Sequence, residues 1–182
     1  MIEERIANIT DLHFISSCIL YGAKKGHYSI DAENKVIAKC MKDEIRSIIT
    51  DNKLSDSRHA QATIYSVENK RIAFAVTSEA SPGDSCYEIY ALSVKNSYQS
   101  NGYGSQILDS VLNRFLYLDI CARCLPASDR MIRLLVQRGF EFHSKDKDCV
   151  ILHRTAMDDN SFSEPAYIRI KNVRNQDYKL KM

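Results

Sequence analysis

The sequence lacks any apolar run near the roughly 20 residues that a membrane span needs. The patch Phe14 to Leu20 is interrupted by Ser16 and Ser17. A signal-peptide pattern is missing too, since Met1 to Thr10 mixes acids with a base. Charge of one sign is not in surplus: 25 Lys and Arg face 23 Asp and Glu, for a net charge of +2. That balance leaves no polybasic footprint, so neither nucleic acid nor an anionic membrane is an expected partner. There is no internal repeat and no low-complexity tract. Tryptophan is absent, and only three prolines and six glycines punctuate 182 residues. The expected address is the cytoplasm.

Six cysteines are present: Cys18, Cys40, Cys86, Cys121, Cys124 and Cys149. They are scattered, and without a secretory signal they read as reduced thiols, mostly buried. Cys121-x-x-Cys124 with Cys149-x-x-x-His153 imitates a zinc ligand set. On one continuous strand, however, Cys121 and Cys124 face opposite sides, and no second close pair exists. No metal is expected.

The apolar share of 45% and charged share of 26% suit one globular domain with a substantial core. Arg5 to Ile9 reads as a short strand, and Thr10 or Asp11 can cap the next helix. Leu12, Ile15, Cys18 and Ile19 fall at helical spacing, up to Gly22–Gly26. His27 and Tyr28 follow in a loop. A second helix starts after Asp31, with a stripe from Val36 to Ile49. Ala62 to Val67 and Arg71 to Thr77 read as strands around a Glu68-Asn69-Lys70 turn. Tyr87 to Val94 is the next strand, and Ile107 to Leu116 gives a helical stripe. Tyr117 to Cys121 reads as a strand. A helix follows from about Ser128, a plausible N-cap, to Gly139. Phe140 to Phe142 and Cys149 to His153 are the last strands. The element order is β-α-α-β-β-β-α-β-α-β-β. After Thr155 the chain turns polar and then basic, with Ala166 to Val173 able to form a short element.

Between the Tyr87–Val94 strand and the next helix lies Gln99-Ser100-Asn101-Gly102-Tyr103-Gly104. A helix start presents free N–H groups and the positive end of the helix dipole, which together suit an anion. Gly102 and Gly104 let backbone approach a ligand closely. The stretch reads as a cradle for a pyrophosphate. A dinucleotide fingerprint would need a third glycine where Ile107 stands, and a Walker loop would need Gly-Lys-Ser/Thr.

The pattern Gln-x-x-Gly-x-Gly after a strand ending Leu92-Ser93-Val94 resembles the acetyl-CoA loop of the GNAT N-acetyltransferases. The element order and the Arg138-Gly139-Phe140 ending resemble that family as well. The resemblance implies a mixed α/β fold: a mostly antiparallel twisted sheet, splayed at its central strands and flanked by helices. It implies a domain over residues 1–155, with 156–182 a polar, basic tail available for docking. It implies acetyl-CoA as co-substrate, bound by Gln99, Ser100, Asn101, Gly102, Tyr103, Gly104 and Ser105, with its pantetheine arm on the main chain of Leu92 and Val94. The expected acceptor is a small-molecule or peptide amine. His27 and Tyr28 fall where the family lines its acceptor pocket. Pairing of two copies through sheet edges, giving a homodimer, is common for this fold.

For catalysis, strand alternation puts Glu88, Tyr90, Leu92 and Val94 on one face. Glu88, among apolar neighbours, is the candidate base. Two positions depart from the family: Leu135 stands where a tyrosine often serves as general acid, and Ser128 where an asparagine is common. Either Tyr90, Tyr103 or Tyr117 then serves as the acid, with Tyr117 the leading candidate, or the thiolate leaves without a dedicated acid. The alternative is a catalytically weak acyl-CoA sensor or docking module on the same fold.

Overall fold

In the computed structural model, which describes residues 1–146 and 148–157, each change of hydrophobic period in the sequence becomes a change of element. Strand β1 (Glu3–Ile6) leads into helix α1 (Leu12–Lys24) and helix α2 (Lys35–Asp51). Strands β2 (Ala60–Val67), β3 (Lys70–Glu79) and β4 (Tyr87–Val94) follow, then helix α3 (Tyr103–Arg114). Strand β5 (Ile120–Cys124), helix α4 (Asp129–Val136) and strands β6 (Glu141–Asp146) and β7 (Cys149–Arg154) complete the order. It is the order that the sequence implies. Of the expected tail, only residues 156 and 157 are described; the segment Ala166 to Val173 lies outside the described residues.

The strands form one sheet in the order β1-β2-β3-β4-β5-β7-β6. All pairings are antiparallel except β4 with β5, which the α3 crossover makes parallel. Glu68 and Asn69 make the β2–β3 turn with φ of 50° and 61°, as a two-residue hairpin requires.

Each face of the sheet is covered. Ile15, Ile19, Ile45 and Ile48 of α1 and α2 pack on Ile64, Phe74, Val76 and Ala91. Ile107, Leu108 and Val111 of α3 and Leu135 of α4 pack on Tyr65, Ala75, Ile89 and Leu152. A helix stripe buried against alternate strand residues is the standard way both elements hide apolar surface.

The helix caps and strand boundaries have identifiable causes. Asp11 holds the N-cap position of α1, as expected, without a capping bond from its side chain; the capping bonds fall in the short 3-10 turn Ile9–Asp11 before it, where Asn8 accepts from the Thr10 N–H and Asp11 accepts from the Asn8 N–H at 2.9 Å. Asn34 caps α2, which starts after Asp31 as expected. Strand β5 begins at Ile120, so Tyr117 falls on the turn after α3 instead of in a strand.

Candidate active site

The site begins as a gap between β4 and β5. Their ladder holds only at Tyr87–Ile120, Glu88–Cys121 and Ile89–Ala122. Beyond Ile89 the two strands part. The β3–β4 pairing also shifts there, since Thr77 faces Ile89 while Val76 faces Ala91. Tyr90 is thus the extra residue of a β-bulge. One inserted residue reverses the alternation. Leu92 and Val94 turn to the α3–α4 face with Ile89, whereas Glu88 and Tyr90 stay together beside Arg58. The expectation that Glu88, Tyr90, Leu92 and Val94 share one face is therefore corrected by the bulge. The parted strands open a cavity of about 390 Å³, lined from β4 by Ile89, Leu92, Ser93 and Val94 and from β5 by Ala122, Arg123 and Cys124.

The glycine turn closes one end of this cavity. Ser100 and Gly102 adopt left-handed φ of 66° and 79°, and at Gly102 that conformation explains the residue. Gln99 ties the turn down by donating from Nε2 to the Val94 carbonyl at 2.9 Å. Asn101 bonds back to the Tyr98 and Gln99 carbonyls at 3.3 and 3.2 Å. Intramolecular bonding resumes only at Ser105 and Gln106, whose N–H groups donate to the Gly102 carbonyl. Among the described residues, the N–H groups of Ser100 to Gly104 meet no acceptor. Arg138 holds the first turn of α3 through Ser105 and Asp109. Gln99, Ser100, Gly102, Gly104 and Ser105 line the cavity; Asn101 and Tyr103 belong to the same turn without lining it. Five consecutive free donors at a helix start form an anion site ready-made.

His27 and Tyr28 cross the opposite wall. Gly26, at φ 76°, ends the α1 segment and releases the chain over the gap. His27 Nδ1 lies 3.3 Å from Ser128 Oγ. Ser128 holds the N-cap position of α4, as the sequence suggested, but its hydroxyl turns to His27 and makes no capping bond. The Tyr28 hydroxyl donates to the Leu92 carbonyl at 3.0 Å. Burial pushes its phenol above the ordinary range, against the opposing effect of hydrogen bonds near Ser93 and Leu92.

Glu88 has different surroundings from those expected. It is 4% exposed, on the α1–α2 face. Arg58 reaches Oε2 at 2.9 Å and Arg123 reaches Oε1 at 3.2 Å. The apolar neighbourhood inferred from strand alternation is replaced by two guanidinium groups, because the bulge after Glu88 leaves Leu92 and Val94 on the opposite face of the sheet while Glu88 meets the Arg58 loop. Arg58 is itself fixed by Asp56 at 2.8 Å and by the Glu79 carbonyl at 3.1 Å.

Tyr117 requires correction. It is half exposed, beyond the far end of α3, a helix that spans ~18 Å at about 1.5 Å per residue. It does not line the cavity. Leu135 is fully buried in the core, so no polar group stands there. Sequence reasoning missed Arg123, whose role depends on the splay, and Tyr21, whose hydroxyl bonds Asn96 at 2.9 Å. Lys25 and Arg130 were missed as lining residues as well. The cysteines divide as strand geometry requires: Cys124 joins the α3–α4 core while Cys121 lies on the other face of β5. Burial pushes their thiols up to about 11 and about 12. Among the described residues no three metal-ligating side chains gather, and no helix is long and apolar enough to cross a membrane.

Comparison with known proteins agrees with this geometry. The family model described as "Acetyltransferase (GNAT) family" matches residues 27–140. Among curated protein sequences none matches. Among solved structures, the chain is similar to PaiA N-acetyltransferase from Thermoplasma acidophilum in complex with coenzyme A, at TM-score 0.63 and 16% identity, covering 85% of this chain and 99% of that one. It is similar to spermidine N-acetyltransferase from Vibrio cholerae in complex with CoA and spermine, at 0.63 and 12%, covering 84% and 92%. A third is AAC(6')-Ib in complex with ribostamycin and coenzyme A, at 0.65 and 13%, covering 97% and 98%. At such identities the likeness is one of fold.

Proposed function

The chain belongs to the acetyltransferase (GNAT) family, and from that premise we propose that it transfers the acetyl group of acetyl-CoA to a primary amine by direct attack. The observation that carries the reading is the run of free N–H groups from Ser100 to Gly104 beside the parted strands. The diphosphate takes those donors, with Gln99, Asn101, Tyr103 and Ser105 shaping the turn. The pantetheine arm lies in the gap against the main chain of Leu92 and Val94.

In the reaction the amine nitrogen bonds to the carbonyl carbon, and the carbon–sulfur bond breaks with its electron pair on sulfur. Glu88, directly or through water, takes the amine proton. Strand β4 main-chain N–H groups stabilise the oxyanion. Tyr28 replaces Tyr117 as the proton donor to the leaving thiolate. Its hydroxyl reaches the Leu92 main chain in the gap, whereas that of Tyr21 is turned to Asn96, and burial keeps Tyr28 protonated. Positioning supplies much of the acceleration. His27 stands on the acceptor side.

The sensor reading draws on Leu135, buried where the family often has an acid. Calorimetry with acetyl-CoA, followed by thiol release across an amine panel, tests both. Absence of CoA binding would refute the enzyme, and binding without turnover would select the sensor.

A further inference from the structure

The cavity has a charge pattern that bears on the acceptor. Lys25, His27, Arg123 and Arg130 line it, and no aspartate or glutamate does. Glu88, behind Arg123, is not among the lining residues and is already paired with Arg58 and Arg123, so an acceptor with several ammonium groups would find no unpaired carboxylate on the lining and would meet cations instead. Diphosphate binding accounts for cations near the glycine turn. It does not account for Arg123.

Arg123 directly follows Ala122, the partner of Ile89 at the point where β4 and β5 part. Ile89 lies five residues before Val94, a distance of ~16 Å at about 3.3 Å per residue. Arg123 therefore stands at the closed end of the gap, and the diphosphate turn at the open end. Its side chain is 52% exposed. Only Nε is engaged among the described residues, by Glu88 Oε1 at 3.2 Å. The fork of its two terminal nitrogens is left over, and such a fork matches a carboxylate bidentately.

Resting on the acetyltransferase reading above, the geometry points to an acceptor that carries a carboxylate beside its amine, of the amino-acid type, with Arg123 as the residue that binds that carboxylate. Arg123 is the exposed end of its pair with the buried Glu88, so it is the partner that can leave for a competing carboxylate. When the acceptor carboxylate takes Arg123, Glu88 Oε1 loses that partner while Arg58 still holds Oε2. The oxygen released is then available for the amine proton. One exchange couples recognition of the acid to activation of the amine. No bond other than those of acetyl transfer changes.

The test first measures acetyl-CoA binding by calorimetry on the whole protein. It then compares kcat/KM for L-glutamate, L-leucine and L-methionine with that for their α-carboxamides and for spermidine. The expected result is at least one acid favoured tenfold or more over its amide and over spermidine. In Arg123→Gln that preference collapses toward one through a higher KM for the acid, and Arg123→Lys keeps part of it. Equal use of acid and amide, preference for spermidine, or binding of acetyl-CoA without acetylation of any acid would overturn the inference. So would an equal loss for acid and amide in Arg123→Gln, which marks a structural role. The wild-type comparison decides even if the variants fold poorly. Failure to bind acetyl-CoA would instead remove the acetyltransferase reading on which the inference rests.

Discussion

The Tyr28 hydroxyl donates to the main-chain carbonyl of Leu92 at 3.0 Å, across the gap between α1 and the sheet. This bond fixes a neutral phenol in the channel proposed for the pantetheine arm. Tyr28→Phe should lower kcat by about 10²-fold, the lower end for loss of a general acid. The acetyl-CoA dissociation constant should move by less than threefold. Removing one hydrogen bond to a carbonyl costs about 1 kcal/mol of stability. A kcat unchanged in steady-state assays would reject Tyr28 as proton donor.

Gly22 provides an independent probe of the same contact. A Cβ built there would lie 2.7 Å from Tyr28 Cε2, closer than two carbons pack. Glycine to alanine within a helix normally stabilises by up to about 1 kcal/mol. Here Gly22→Ala should destabilise, because the Tyr28 ring must shift and its hydroxyl must leave Leu92. A raised unfolding midpoint would show that the ring has room to move.

Gly102 separates charge from backbone shape. Its φ of 79° is one that asparagine tolerates and most residues resist. Gly102→Asn should keep the turn and weaken CoA binding less than tenfold. Gly102→Asp, which tolerates the same φ, sets a carboxylate beside the proposed diphosphate and should weaken binding at least 100-fold, with circular dichroism unchanged. Equal affinities in titration calorimetry would count against the cradle.

Those residues differ in how far the sequence discloses them. The glycine turn is local: strand, Gln99, Gly102, Gly104 and helix start follow one another, so spacing alone reveals them. Element order was legible for the same reason, since period two gives way to period 3.6 at each junction. The face of Glu88 was not. It depends on one bulged residue, Tyr90, and strand alternation assumes an unbroken ladder. Arg58 and Arg123 come to Glu88 from a loop 30 residues upstream and from the neighbouring strand, contacts with no local signature. Tyr117 was misplaced because Tyr117-Leu118 reads as strand, while α3 ends in a turn that delays β5 to Ile120.

Glu88 is almost fully buried and paired with two arginines. Glu88→Gln keeps the shape but offers one acceptor oxygen in place of two, and cannot take a proton. Its kcat should fall about 10²- to 10⁴-fold, with acetyl-CoA affinity retained. Loss of the charge also leaves Arg58 with Asp56 as its one carboxylate partner, and breaking a buried pair costs about 3–5 kcal/mol at most. Urea unfolding should therefore show destabilisation below that bound. If kcat held while stability dropped, Glu88 would be a structural ion-pair residue, and the base would have to be sought elsewhere.

Asp11 sets the acid limit of the fold. Its side chain is fully buried. Burial works to raise its pKa, but Arg5 at 2.7 Å, the Asn8 N–H at 2.9 Å and Arg71 at 3.1 Å outweigh it. The net effect lowers the carboxyl from 3.8 to about 2. A folded-state pKa below the unfolded one means that the native state binds the proton less readily. The stabilisation is thus fully present above pH 4 and is lost as pH falls from about 4 toward 2. The shift corresponds to on the order of 2 kcal/mol. Asp11→Asn removes the titration and leaves two guanidinium groups facing a neutral amide. The wild-type protein should be more stable than the variant by a few kcal/mol at pH 7, and the difference should narrow across that acid window. Parallel stability curves from pH 7 to pH 2 would show that the Arg5–Asp11–Arg71 cluster does not govern the acid transition.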